Sequence, residues 1–135
     1  MDITTVSETR MLEMVFPDQT NHYGTLFGGH ALRLMDMAAF VTASRYSRKA
    51  MVTASSERVD FSAPAKHGQL VELIGRVQRV GRTSVNVVVD MFAEDLLTGE
   101  RHICATGNFT LVAVDESGQP TPIQGPISSG GTGQS

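Results

Sequence analysis

Cysteine is nearly missing from this chain. Cys104 is its one example, so no internal disulfide can form, and no Cys/His spacing of the zinc-binding kind surrounds it. The four histidines, His22, His30, His67 and His102, are scattered, and no structural metal is expected. A surplus of positive charge is missing too. Eleven basic side chains against 14 acidic ones leave −3, which excludes a general electrostatic pull on nucleic acid or an anionic membrane, so any phosphate on a ligand must be met locally. No apolar run approaches the roughly 18 residues of a membrane span, and the polar start has no basic segment followed by an apolar one, so the cytoplasm is the expected compartment. What the chain does have is 41% hydrophobic residues, 19% charged, 13 Gly and 5 Pro over 135 positions. That is the make-up of one soluble globular domain, long enough to hide roughly two-thirds of its unfolded surface.

The stretch Arg10 to Phe16 is apolar enough for a strand, which Pro17 ends because it cannot donate to a sheet ladder. From Asp18 to Gly29 turn formers dominate, and an ordered loop is expected. It leads into the only convincing helix, His30 to Tyr46, whose apolar side chains lie nearly all round a 100° wheel and imply burial. Four segments rich in β-formers follow: Met51 to Phe61, Leu70 to Val80, Thr83 to Leu96 and His102 to Val114. Short Gly-containing connections at Val80 to Thr83 and Leu97 to Glu100 predict antiparallel hairpins among the last three. Residues 1–114 are thus expected to form one α+β domain, and residues 115–135, rich in Gly, Ser, Pro and Gln, a flexible tail. About five antiparallel strands with one long apolar helix suggest a curved sheet wrapped around it, the hotdog arrangement. The open edges of such a sheet make a homodimer the expected minimum.

Four features carry candidate chemistry. Gly28 and Gly29 stand where a helix cap belongs. They either permit tight backbone packing or leave the free N–H groups of a helix start open to a ligand oxygen, as an oxyanion hole. Asp36 is an odd mid-helix residue among Leu32, Ala39, Ala43 and Phe40. It either pairs with Arg33 one turn earlier or faces a cleft as general base or nucleophile. Asn21 either serves the loop's conformation or uses its amide on a water or a carbonyl. The hairpin Arg79-Val80-Gly81-Arg82-Thr83-Ser84 combines a turn glycine, two guanidinium groups and two hydroxyls that suit a phosphorylated ligand, or is simply a soluble charged tip; Lys66 and His67 make a weaker version. Cys104 reads as a strand residue rather than a nucleophile.

Taken as one ordered series, Pro17, Asn21, Gly24, Phe27-Gly28-Gly29, Leu34-Met35-Asp36, Asp60-Phe61, Pro64, Gly68 and Val80-Gly81-Arg82-Thr83-Ser84 resemble the hotdog-fold acyl-CoA thioesterase (acyl-CoA hydrolase) family, from Val15 to about Gln119. The resemblance implies hydrolysis of acyl-CoA to a free acid and coenzyme A, with Asp36 as the catalytic carboxylate and Asn21 as the catalytic asparagine. It implies that the two meet from opposite subunits of a dimer, with hexamers (trimers of dimers) common. It also implies that Gly28 and Gly29 polarise the carbonyl and that Gly81 to Ser84 contact coenzyme A. No cofactor is expected, since coenzyme A is part of the substrate. Two rivals remain: a sensor that binds acyl-CoA without cleaving it, and a hydratase or dehydratase, which would want a histidine near Asp36.

Overall fold

The computed structural model describes residues 6–123. Its elements run β1 (Glu8–Met14), a 3-10 turn (Pro17–Gln19), α1 (Gly28–Ser47), β2 (Met51–Phe61), β3 (Leu70–Val80), β4 (Ser84–Glu94) and β5 (Arg101–Ala113). All pairings are antiparallel, in the order β1-β3-β4-β5-β2. The meander β3-β4-β5 is dictated by its two short turns, as expected. The outer pairings, β1 with β3 and β2 with β5, join segments far apart in sequence. This is the hotdog fold: an antiparallel five-stranded sheet against one long helix.

Alternation along β4 sends Val85, Val87, Val89, Met91 and Ala93 inward, where they meet Ala31, Leu34, Met35, Ala38 and Ala39 of α1. The helix sits very close to β3. A Cβ on Gly75 would run into the Thr42 hydroxyl and come within 3.2 Å of the Ala38 carbonyl oxygen, so glycine is required by packing there. At its far end α1 stops on Arg48, whose φ of 56° is left-handed and whose N–H donates to the Ser44 carbonyl. Among the described residues no helix is long and apolar enough to cross a membrane.

Three expectations are corrected. The helix begins at Gly28, with Phe27 as its cap residue, so both glycines lie inside the first turn rather than at the cap. Nor is it buried all round: Leu32, Met37 and Phe40 are exposed on the side the sheet does not reach, because one five-stranded sheet covers one face of a helix. The ordered domain also runs past residue 114. Asp115 Oδ1 accepts from the N–H groups of Ser117 and Gln119, Val114 bridges Pro120, and the N–H groups of Thr121 and Ile123 donate to the carbonyls of Ala113 and Arg82. Ile123 then buries its side chain in the core. One isoleucine and a self-capping turn anchor residues 115–123 despite their polar composition; the remainder of the expected tail lies outside the described residues.

Candidate active site

The loop from Thr20 to Leu26 is a compact turn. Asn21 N–H donates to the Thr25 carbonyl (2.9 Å), Gly24 N–H to the Asn21 carbonyl (2.9 Å), and Gly24 takes a φ of +79° that favours glycine. It is held against the segment that carries Lys66 and His67. Leu26 N–H donates to the Ala65 carbonyl (2.7 Å), His67 N–H to the Gly24 carbonyl (3.0 Å), and Thr25 bridges Lys66. Lys66 and His67 thus brace the loop through their backbone.

The loop delivers the chain into α1 with a bare N-terminus. No side chain caps it, and the Phe27 carbonyl accepts from both His30 and Ala31 N–H (3.0 Å each). The N–H groups of Gly28 and Gly29 find no acceptor among the described residues, at the positive end of the helix dipole. Neither glycine has a positive φ, and a Cβ on either would meet nothing within 4 Å. Tight packing within the protomer therefore does not require them. What they leave is open space over two free donors, a place where a negatively charged oxygen is favoured.

Two turns further along the same face lies Asp36. Its Oδ1 accepts a 2.8 Å hydrogen bond from the Thr53 hydroxyl on β2, and it makes no ion pair with Arg33 among the described residues. A cavity of about 400 Å³ is lined by Gly29, Leu32, Arg33, Asp36, Thr53 and Phe109. A second, of similar size and mostly apolar, opens on the other side of the helix start between Leu26, Gly28, Ala31, Phe61, Pro64 and Met91. The helix N-terminus stands between them.

Asn21 lines neither cavity, and neither do Gly81, Arg82, Thr83 and Ser84. One protomer brings Asp36 and Gly29 into the lining of one cavity, which neither Asn21 nor the β3–β4 hairpin joins. That hairpin is tied by Gly81 N–H to the Ser84 carbonyl (2.8 Å) and from outside by Ala113 N–H to the Thr83 carbonyl and Ile123 N–H to the Arg82 carbonyl. The guanidinium of Arg82 is exposed and makes no ion pair among the described residues. Cys104 is fully buried and burial pushes its thiol up to about 11, the opposite of an activated nucleophile. Among the described residues no cluster of His, Cys, Asp or Glu could hold a metal ion.

Thr53 escaped the reading of the sequence. A threonine in a run of β-formers carries no signal of its own, and only the approach of β2 to the helix makes it the partner of Asp36.

Comparison with known proteins points one way. The sequence model of the thioesterase superfamily matches residues 23–100. A Bacillus subtilis protein described as an uncharacterized acyl-CoA thioester hydrolase is 42% identical over 109 residues, which are 81% of this chain and 63% of that protein. This chain therefore spans somewhat less than two-thirds of that relative's length. A solved apo-hexameric acyl-CoA thioesterase is 45% identical with a TM-score of 0.83, covering 85% of this chain and 74% of that one. An acyl-CoA hydrolase from Staphylococcus aureus, solved with butyryl-coenzyme A, coenzyme A and coenzyme A disulfide, is 33% identical with a TM-score of 0.81 over 85% and 70% of the two chains. Alanine variants of a Staphylococcus aureus acyl-CoA hydrolase are also solved, at an asparagine, an aspartate and a threonine. Those positions are separated by 15 and 17 residues, the same intervals as Asn21 to Asp36 and Asp36 to Thr53.

Proposed function

Because this chain belongs to the thioesterase superfamily, we propose that it hydrolyses acyl-coenzyme A thioesters to a free carboxylic acid and coenzyme A. The observation that carries this reading is one arrangement: a carboxylate held by Thr53 shares a cavity with Gly29, at a helix start whose Gly28 and Gly29 N–H groups have no acceptor among the described residues. Acyl transfer needs these two things, a base or nucleophile and preorganised donors for the oxygen that becomes negative.

In the proposed reaction the thioester carbonyl oxygen rests on the Gly28 and Gly29 N–H groups. Asp36 either takes a proton from the attacking water or attacks the carbonyl itself to give a mixed anhydride that water then opens. In both routes the thiolate of coenzyme A leaves and is protonated, and a carboxylic acid is released. The Thr53 hydroxyl occupies one oxygen of Asp36 and leaves the other for the reaction. Asn21 completes the site, and since it lines neither cavity of its own protomer, the partner subunit is its proposed source.

The homodimer this requires is supported by the exposed apolar side chains Leu32, Met37 and Phe40 on α1 and by β2, an edge strand exposed along most of its length. A hexamer built as a trimer of dimers is proposed in line with the hexameric relative. Gly81, Arg82, Thr83 and Ser84 are proposed to meet the coenzyme A moiety, which is part of the substrate; no cofactor is called on, and the cytoplasm is the proposed compartment. The test is release of free thiol from a panel of acyl-CoAs of increasing chain length, followed with a thiol reagent. Turnover of at least one chain length is expected, and none across the panel would refute hydrolysis in favour of binding alone.

A further inference from the structure

The carboxamide of Asn21 is not free to choose which end it presents. Its Oδ1 accepts three hydrogen bonds inside its own loop: from Tyr23 N–H (2.9 Å), Thr25 N–H (3.2 Å) and the Thr25 hydroxyl (3.1 Å). Two of these donors are backbone N–H groups, which cannot accept. Turning the amide over would set its NH2 against them and forfeit both of those bonds, whereas the Thr25 hydroxyl can donate to Oδ1 or accept from Nδ2, so the two backbone groups fix the orientation. The Nδ2 is left over and meets no acceptor among the described residues.

We propose that Thr25 is a positioning residue, whose hydroxyl adds a third bond to Oδ1 and steadies the Asn21 carboxamide in the orientation its backbone contacts set, so that Asn21 enters the reaction only as a hydrogen-bond donor, through Nδ2. A donor at this place serves the thioester carbonyl and cannot act as the acceptor that would orient an attacking water. This removes the ambiguity of an asparagine in a loop. The proposal rests on the hydrolytic reading for its consequence but not for its geometry. Thr25 is the one partner of Oδ1 that can be altered by substitution, because the other two contacts are made by the backbone. With the hydroxyl gone the amide keeps two bonds and swings more widely about its χ2 torsion, so loss of function is partial.

The experiment pairs Thr25→Val, which keeps the shape and removes the donor, with Thr25→Ser, which keeps the donor. Thr25→Val is expected to lower kcat about fivefold to tenfold, the worth of one ordinary hydrogen bond, with KM nearly unchanged, and Thr25→Ser to restore most of it. In an Asn21→Ala background Thr25→Val should cost nothing more, since it acts through Asn21. Wild-type kcat in Thr25→Val, or an equal loss in the Asn21→Ala background, overturns the proposal. A second readout needs no turnover: the side-chain NH2 resonances of Asn21 should move and broaden in Thr25→Val but not in Thr25→Ser. Unchanged resonances overturn the proposal as well. Failure of the wild-type chain to release thiol from any acyl-CoA would instead sink hydrolysis, with the resonances still deciding the role of Thr25.

Discussion

Cutting the chain after Gln119 removes a segment whose composition argues that it does nothing, yet the structure puts one of its residues, Ile123, in the core. Ile123 is only 5% exposed, and full burial of such a side chain contributes about 1.5–3 kcal/mol. The N–H groups of Thr121 and Ile123 donate to the Ala113 and Arg82 carbonyls at 2.9 and 3.0 Å, each bond adding about 1 kcal/mol. The cut is therefore expected to cost about 3–5 kcal/mol, a large share of the stability of a domain this size. Ile123→Ala, which spares both backbone bonds, should cost about 2 kcal/mol. Urea unfolding followed by circular dichroism measures both, at one fixed protomer concentration because the midpoint of an oligomer depends on it. The same segment holds the Arg82 carbonyl, so the cut should also raise KM for acyl-CoA more than it lowers kcat. A truncated chain with the wild-type urea midpoint would refute the reasoning, because it would mean that Ile123 fills no space that matters.

Asp36→Asn keeps the shape of the side chain and removes the base, so kcat should fall by about 10² or more with KM nearly intact; near-wild-type turnover would take Asp36 out of the chemistry. Thr53→Val deletes a hydrogen bond to a charged group, and a loss of roughly tenfold in kcat is expected, restored by Thr53→Ser; a shift confined to KM would mean that Thr53 serves binding alone. For the shared site, Asn21→Ala and Asp36→Ala homodimers should each be nearly inactive, while random mixing should recover roughly a quarter of wild-type activity through mixed dimers with one intact site of two. No recovery, with mixed dimers confirmed by mass spectrometry, would place both residues in one subunit's site. The hydrogen bond from Arg101 to Glu72 (2.6 Å) holds that carboxyl below its usual range, with Arg10 adding to it. Its folded value lies below its unfolded one, so the stabilisation is present above the unfolded value of about 4.3 and is lost as pH falls through the folded one. Glu72→Gln should therefore lower the urea midpoint at neutral pH and converge with the wild type in acid; a constant gap across the titration would contradict this.

The residue pattern was enough to place most elements and to single out three candidate site residues, Asp36, Gly28 and Gly29. Alternation of apolar and polar positions marks β3, β4 and β5 because those strands bury one face, and Gly-containing connections of three and six residues leave a hairpin as the only way back. Asp36 stood out because a carboxylate in an apolar stretch of helix is costly unless something meets it. The glycines at the helix start stood out too, and only the structure shows that no neighbour among the described residues requires a glycine at either position. The start of the helix was misjudged by two residues because glycine is a poor helix former whose propensity a tertiary context overrides.

Much of what is local was determined by the amino-acid order alone: the kinds of the main elements, their succession, the hairpin turns, and the face of α1 on which Asp36 falls. These depend on side-chain period and turn chemistry, which act over a few residues. Tertiary structure alone decided what each face meets. It joined β2 to β5 and β1 to β3 across long stretches of chain, and so brought Thr53 to Asp36. It folded Ile123 back onto Arg82 and left one side of the helix uncovered. The reason is that periodicity reports which way a side chain points and never what lies opposite. The opposite partner is chosen by the shape and burial of the whole domain, and for Asn21 the proposed partner lies in a second copy of it.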